Sequence, residues 1–72
     1  ALGSDVRMKE NIKHIGTKNG HRLYEFNYLG GRQRYRGVMA QDLLTTRPDA
    51  VVDRNGLYWV DYGALGLELE AV

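Results

Sequence analysis

Apolar and polar positions alternate from Arg22 to Leu29, with Tyr24, Phe26 and Tyr28 on one side of an extended chain and Leu23, Glu25, Asn27 and Leu29 on the other. That alternation predicts a strand whose aromatic side is covered by a core; the competing reading is a platform for a ligand. Before it, Ile12 to Thr17 is a short mixed run ending at Asn19-Gly20. Both residues of this dipeptide accept the positive φ of a type I′ turn, so a hairpin is expected there. After Gly30-Gly31, Arg32, Arg34 and Arg36 lie on one side of a further strand, opposite Gln33 and Tyr35. Gly37 to Met39 continues that strand.

At Ala40 the period changes. Ala40, Leu43, Leu44 and Arg47 recur at helical spacing over about two turns, and Pro48 stops the helix by disfavouring helical geometry at Arg47. So short a helix stands only by packing its leucines on a sheet. Ala50-Val51-Val52 and Leu57-Tyr58-Trp59-Val60 then flank Asp53-Arg54-Asn55-Gly56, a second hairpin with its own Asn-Gly. Asp61 is placed to cap a last helix from Tyr62 onward, with Leu65, Leu69 and Val72 on one stripe and Ala64, Leu67 and Ala71 on a second. One stripe packs on the helix's own sheet; the other asks for a neighbouring subunit. Gly63 and Gly66 cost such a helix about 1 kcal/mol each relative to alanine but allow close approach. The expected architecture is α+β: small antiparallel hairpins, a short central helix and a C-terminal helix.

Length and composition sharpen that expectation. Seventy-two residues make one domain, 1–72. A lone domain of this size buries about 60% of its unfolded surface and usually needs a supplement. There is no cysteine, hence no disulfide and no Cys-based metal site, and only His14 and His21 offer imidazoles. No metal and no cofactor is expected, and oligomerisation is left as the supplement. Ten basic and nine acidic residues give a net charge of +1, no global field for nucleic acid or an acidic membrane. No apolar run approaches ~18 residues, so neither partner is expected. The ends, Ala1-Leu2 and Ala71-Val72, read as a piece of something longer. The arginine row keeps one competing reading alive, a small nucleic-acid-binding face built on Arg32, Arg34, Arg36 and Tyr35; a solvated strand face is the plainer account.

The dense chemistry lies in Ser4-Asp5-Val6-Arg7-Met8-Lys9-Glu10-Asn11-Ile12. A serine hydroxyl needs a neighbour to take its proton, and a lysine amine serves if its pKa is brought down from ~10.4 by burial or by nearby positive charge, which Arg7 would supply. If residues 5–8 are extended, the five-residue offset spans up to about 17 Å, too far for contact. A turn brings the two together, or Lys9 of one subunit serves Ser4 of another. The plain alternative makes Ser4 an ordinary helix cap. Gln41 and Asp42 stand at the start of the central helix, where a carboxylate suits the dipole, or else face the serine.

Ser-Asp-x-Arg-x-Lys-x-Asn-Ile resembles the opening signature of the C-terminal intramolecular chaperone domains of phage endosialidases, tailspikes and tail fibres, a serine-peptidase family. Gly37-Val38-Met39-Ala40-Gln41-Asp42, Pro48-x-Ala50-Val51 and Val60-Asp61-Tyr62 resemble three further blocks of that family, in order. The resemblance implies a domain that trimerises the fibre or spike ahead of it and then releases itself with a Ser-Lys dyad. Ser4 and Lys9 fall on the dyad, and cleavage at Gly3-Ser4 follows, with Asp5, Arg7, Asn11 and Gln41 in support; the oxyanion donor is not identifiable from the sequence, Asn11 and a backbone N–H being two candidates. It implies as partners a homotrimer and the upstream segment of the same chain. It also implies a place in the host cytoplasm during phage assembly, or in the virion fibre if the domain is retained. The alternative within the same family is an assembly domain that does not cleave.

Overall fold

The computed structural model describes all residues, 1–72. The strands are β1 (Leu2–Gly3), β2 (Lys9–Lys18), β3 (His21–Tyr28), β4 (Arg34–Gly37), β5 (Val51–Arg54), β6 (Leu57–Val60) and β7 (Glu70–Ala71). One helix, α1 (Ala40–Thr46), and three single 3₁₀ turns, Val6–Met8, Pro48–Ala50 and Gly63–Leu65, complete the chain. All pairing is antiparallel, in a four-stranded sheet ordered β2-β3-β4-β7 and a three-stranded sheet ordered β1-β6-β5.

Both Asn-Gly dipeptides turn hairpins. Asn19 and Gly20 (φ 53° and 79°) join β2 to β3, and Asn55 and Gly56 (φ 54° and 83°) join β5 to β6. Positive φ at both central positions matches the right-handed twist of the strands they connect. The central helix also lies where its period put it. Arg47 leaves helical geometry (φ −141°, ψ 60°) immediately before Pro48, as the proline ring requires. Ala40 and Leu43 are buried against Val38, Ala50, Val60, Tyr62, Leu65 and Leu67, a core lying between the helix and the strand ends.

The expected C-terminal helix does not form. A single 3₁₀ turn forms at Gly63–Leu65 with Tyr62 at its N-cap, and Asp61, one residue earlier, accepts from the Ala64 N–H through Oδ1 at 3.3 Å. Gly66 then enters the left-handed region (φ 68°) and ends it. Beyond it the chain is extended: Leu65 and Leu67 are buried, Leu69 packs partly on the core, and Glu70–Ala71 pairs with β4. Leucines at 65, 67 and 69 have the period of a strand, and two glycines within four residues weaken the helical alternative.

The arginine row is likewise engaged within the chain. Arg36 pairs with Glu25 at 3.2 Å, and Arg34 donates to the Asn11 carbonyl at 2.6 Å; Arg32 precedes the strand.

Candidate functional site

The opening motif is the chain's crossing from one sheet to the other. β1 is paired with β6, β2 begins the other sheet at Lys9, and residues 4–8 span the gap. Asp5 fixes the crossing. Its carboxylate, fully buried, accepts from the Arg7 N–H (2.9 Å), Arg7 Nε (2.9 Å) and Nη2 (2.7 Å), Gln41 Nε2 (2.8 Å) and the Tyr58 N–H (3.0 Å). The Arg7 guanidinium, with the other donors behind it, holds this carboxyl well below the usual range. Gln41 closes the same knot by accepting from the Val6 N–H at 2.8 Å. It therefore faces the motif, through Asp5 and not through the serine hydroxyl. Asp42 turns instead to β3, where the Tyr24 hydroxyl donates to it at 2.7 Å.

Because residues 6–8 form a turn, Lys9 folds back over Ser4. Lys9 Nζ donates to the Val38 carbonyl at 2.7 Å and to the Ser4 carbonyl at 3.2 Å, and lies 4.1 Å from the centre of the Phe26 ring. Burial brings the amine down from 10.5 to about 7, with the Asp5 carboxylate pulling the other way. Arg7 plays no part in that depression, since its guanidinium is committed to Asp5. No hydrogen bond joins Nζ to Ser4 Oγ; the amine rests on the serine's own carbonyl.

Ser4 is fully buried and held on every polar atom. Its N–H donates to the Tyr58 carbonyl (3.1 Å), its carbonyl accepts from the Ala40 N–H (2.8 Å), and its Oγ is 3.1 Å from the Tyr62 hydroxyl. Tyr62 Oη accepts from the Val38 N–H at 3.0 Å. A hydroxyl oxygen keeps a second acceptor site beside that N–H, so either Ser4 or Tyr62 can donate across their contact. The peptide unit ahead of the serine is held from both ends: the Tyr28 hydroxyl donates to the Gly3 carbonyl at 2.7 Å while Tyr58 takes the Ser4 N–H. Asn11 points elsewhere, its amide donating to Asn27 Oδ1 at 2.9 Å.

Tyr28 and Tyr62 are thus site residues that the sequence reading passed over. Tyr28 lies on the aromatic face that the alternation predicts, and Tyr62 stands both at the start of the expected last helix and in the Val-Asp-Tyr block. The available signal was that a buried phenol must find a partner. No cluster of three or more His, Cys, Asp or Glu side chains is placed to hold a metal ion. The surface cleft of about 360 Å³ is lined by residues of the β2–β3 turn and α1, among them His21, Asp42 and Thr45, and does not open onto Ser4.

Gly37 sets how tightly Tyr62 fits. A Cβ there would overlap the Tyr62 hydroxyl and stand 2.8 Å from Leu69 Cδ1. Gly37→Ala is expected to cost about 1–3 kcal/mol, with Tyr62 pushed off Ser4 Oγ and Val38 N–H. Urea denaturation checks this; an unchanged midpoint would mean that Tyr62 has room to move.

Comparison with known proteins gives one match. Residues 4–52, more than half of the chain, match the family described as chaperone of endosialidase; this span includes Ser4, Lys9, Tyr28 and Gln41 and excludes Gly3 and Tyr62. No curated protein and no solved structure matches. With a family match over most of the chain and its opening motif at the centre of the fold, the chain belongs to the chaperone of endosialidase family, and an intramolecular chaperone role goes with that membership.

Proposed function

We propose that this domain trimerises the fibre or spike segment ahead of it and then releases itself by cutting the Gly3–Ser4 bond, with Ser4 as nucleophile and Lys9 as base. The observation that carries the reading is the buried Lys9 amine, lowered to about 7 and resting on Ser4 itself. A lysine so placed is partly neutral near pH 7 and able to accept a proton. Ser4 Oγ attacks the Gly3 carbonyl carbon while Lys9 takes the hydroxyl proton. The C–N bond breaks, Lys9 returns the proton to the leaving Ser4 nitrogen, and Gly3 is left as an ester on Oγ. Water then hydrolyses the ester, giving a Gly3 carboxylate and a free Ser4 hydroxyl. Lys9 must swing from the Ser4 carbonyl towards Oγ for the first step, a small change that subunit contacts would supply.

Support for assembly comes from what the fold leaves uncovered. Only 15 of 72 residues are buried, while Leu2, Val6, Ile12, Ile15, Leu29, Leu44, Val52 and Val72 stay exposed. A core this small is marginal for a single copy. Cleavage after assembly would make the fibre's trimer kinetically stable, because the element that guided folding has gone.

The test is the chain expressed with its native upstream segment, as wild type, Ser4→Ala and Lys9→Ala. Intact mass should show a new N-terminus at Ser4 in the wild type, and full-length chains in both variants after the same time, a loss of roughly 10²–10⁴ in rate. Sedimentation should find trimers in all three. An assembled wild-type trimer retaining Ala1-Leu2-Gly3 would favour the non-cleaving assembly domain. Loss of trimers in Lys9→Ala would make Lys9 structural.

A further inference from the structure

We propose that the Tyr28 hydroxyl is the group that stabilises the oxyanion formed on the Gly3 carbonyl during scission of the Gly3–Ser4 bond, an inference that rests on the self-cleavage reading above. The Gly3 carbonyl oxygen is the atom on which negative charge develops when Ser4 Oγ adds to it. In the resting fold that oxygen accepts a 2.7 Å hydrogen bond from Tyr28 Oη, across 25 residues of chain. Asn11, the side chain the sequence suggested for this task, is spent on Asn27.

Tyr28 is fixed independently of that bond. Its ring meets Phe26 edge-on at 5.4 Å and Tyr35 at 5.5 Å, so the hydroxyl is aimed by packing and needs no reorganisation during the reaction. Burial, with Tyr62 and Tyr35 nearby, pushes this phenol up to about 12, so it remains a proton donor throughout the neutral range. The ammonium that Lys9 becomes on taking the serine proton also lies nearby, its Nζ 6.0 Å from the centre of the Tyr28 ring. The two residues therefore divide the work: Lys9 handles the proton of the nucleophile, and Tyr28 meets the charge on the electrophile. Both are recruited from the β2–β3 hairpin, where Lys9 and Tyr28 are cross-strand partners, so the hairpin that carries Lys9 also brings the donor to the Gly3 carbonyl.

Tyr28→Phe tests the assignment in the chain with its native upstream segment, because the ring contacts survive and only the hydroxyl goes. The first-order rate of appearance of the Ser4 N-terminus should fall roughly 10²–10³-fold with trimers intact. A series of fluorotyrosines at position 28, at a pH where each phenol keeps its proton, should give a rate that rises as the phenol becomes more acidic, which a packing role would not produce. If Tyr28→Phe cuts at the wild-type rate while Ser4→Ala does not cut, this inference fails and self-cleavage stands. If Tyr28→Phe does not assemble, the fluorotyrosine series decides, and a flat rate across it overturns the assignment. If wild type and Ser4→Ala are equally uncut, the self-cleavage reading has failed and takes this inference with it.

Discussion

Asp5→Ala is expected to lower the unfolding free energy by roughly 3–5 kcal/mol, because a fully buried acceptor of five hydrogen bonds disappears and its donors stay behind. The Tyr58 N–H and the Gln41 amide lose a partner inside the protein. By contrast Arg7, whose side chain is 58% exposed, can return its charge to water. Arg7→Ala should therefore cost less, about 1–3 kcal/mol, because the buried carboxylate loses two charged donors but keeps the Gln41 amide and the Tyr58 and residue-7 N–H groups. For a domain of this size the Asp5 loss corresponds to a fall in Tm of about 15 °C or more, enough to leave much of the chain unfolded at 37 °C. Urea titrations of the two variants in a Ser4→Ala background give the ordering. Equal losses would show the Arg7 guanidinium, and not the Tyr58 N–H and the Gln41 amide, to be what Asp5 is for. The pH dependence follows in sign: a carboxyl held low in the fold contributes fully above its unfolded value near ~4 and loses that contribution as pH falls through it. Asp5→Ala should accordingly flatten the acid limb of the stability curve.

The hairpins and the helix were legible because each has a local cause. Asn19-Gly20 and Asn55-Gly56 need no distant contact to turn, and Pro48 ends α1 by a clash with its own neighbour. The tail from Tyr62 was misread because apolar residues at 64, 65, 67, 69, 71 and 72 satisfy two periods at once. The decision came from β4, whose free edge pairs with Glu70–Ala71 and holds the tail extended. The short strand at Leu2–Gly3 had no signal of its own and exists because β6 offers an edge. The site divides the same way. Ser4 and Lys9 could be picked out by residue type and spacing, and the turn between them was one of two stated outcomes. Tyr28 comes to the motif opposite Lys9 across the β2–β3 pairing, in a register set by two irregularities beyond the Asn19-Gly20 turn, and Tyr62, 58 residues from Ser4, comes by tertiary packing. No periodicity in a sequence encodes a contact of that range.

Raising the pH from about 7 to about 9.5 is expected to stabilise the domain, with the Gly3–Ser4 scission accelerating over the lower part of the same interval. Burial lowers Lys9 from 10.5 to about 7 in the fold, whereas the unfolded chain keeps that proton to ~10.4. Between those values the unfolded state binds more protons, so linkage makes stability climb with pH. The whole displacement amounts to about 5 kcal/mol, and the two carbonyl acceptors and the Phe26 ring, which favour the ammonium, should hold the observed climb to roughly 2–4 kcal/mol. Tyr28, pushed up to about 12, closes the window, because stability from a raised phenol is lost as pH passes about 10 towards that value. Lys9→Met, measured in the non-cleaving Ser4→Ala background, should abolish the climb while orphaning only the Val38 carbonyl, since the Ser4 carbonyl keeps the Ala40 N–H. The cleavage rate of the wild type should meanwhile rise with an apparent pKa near that of Lys9, because the neutral amine is the base. One titrating group thus links fold and chemistry: the burial that makes the Lys9 ammonium costly to the folded domain below pH 7 also leaves a neutral amine, able to act as base, above it. A stability curve flat from about 7 to about 9.5, or a slope that survives Lys9→Met, would show that the amine keeps its ordinary pKa, and with it the activation of Ser4 would be gone.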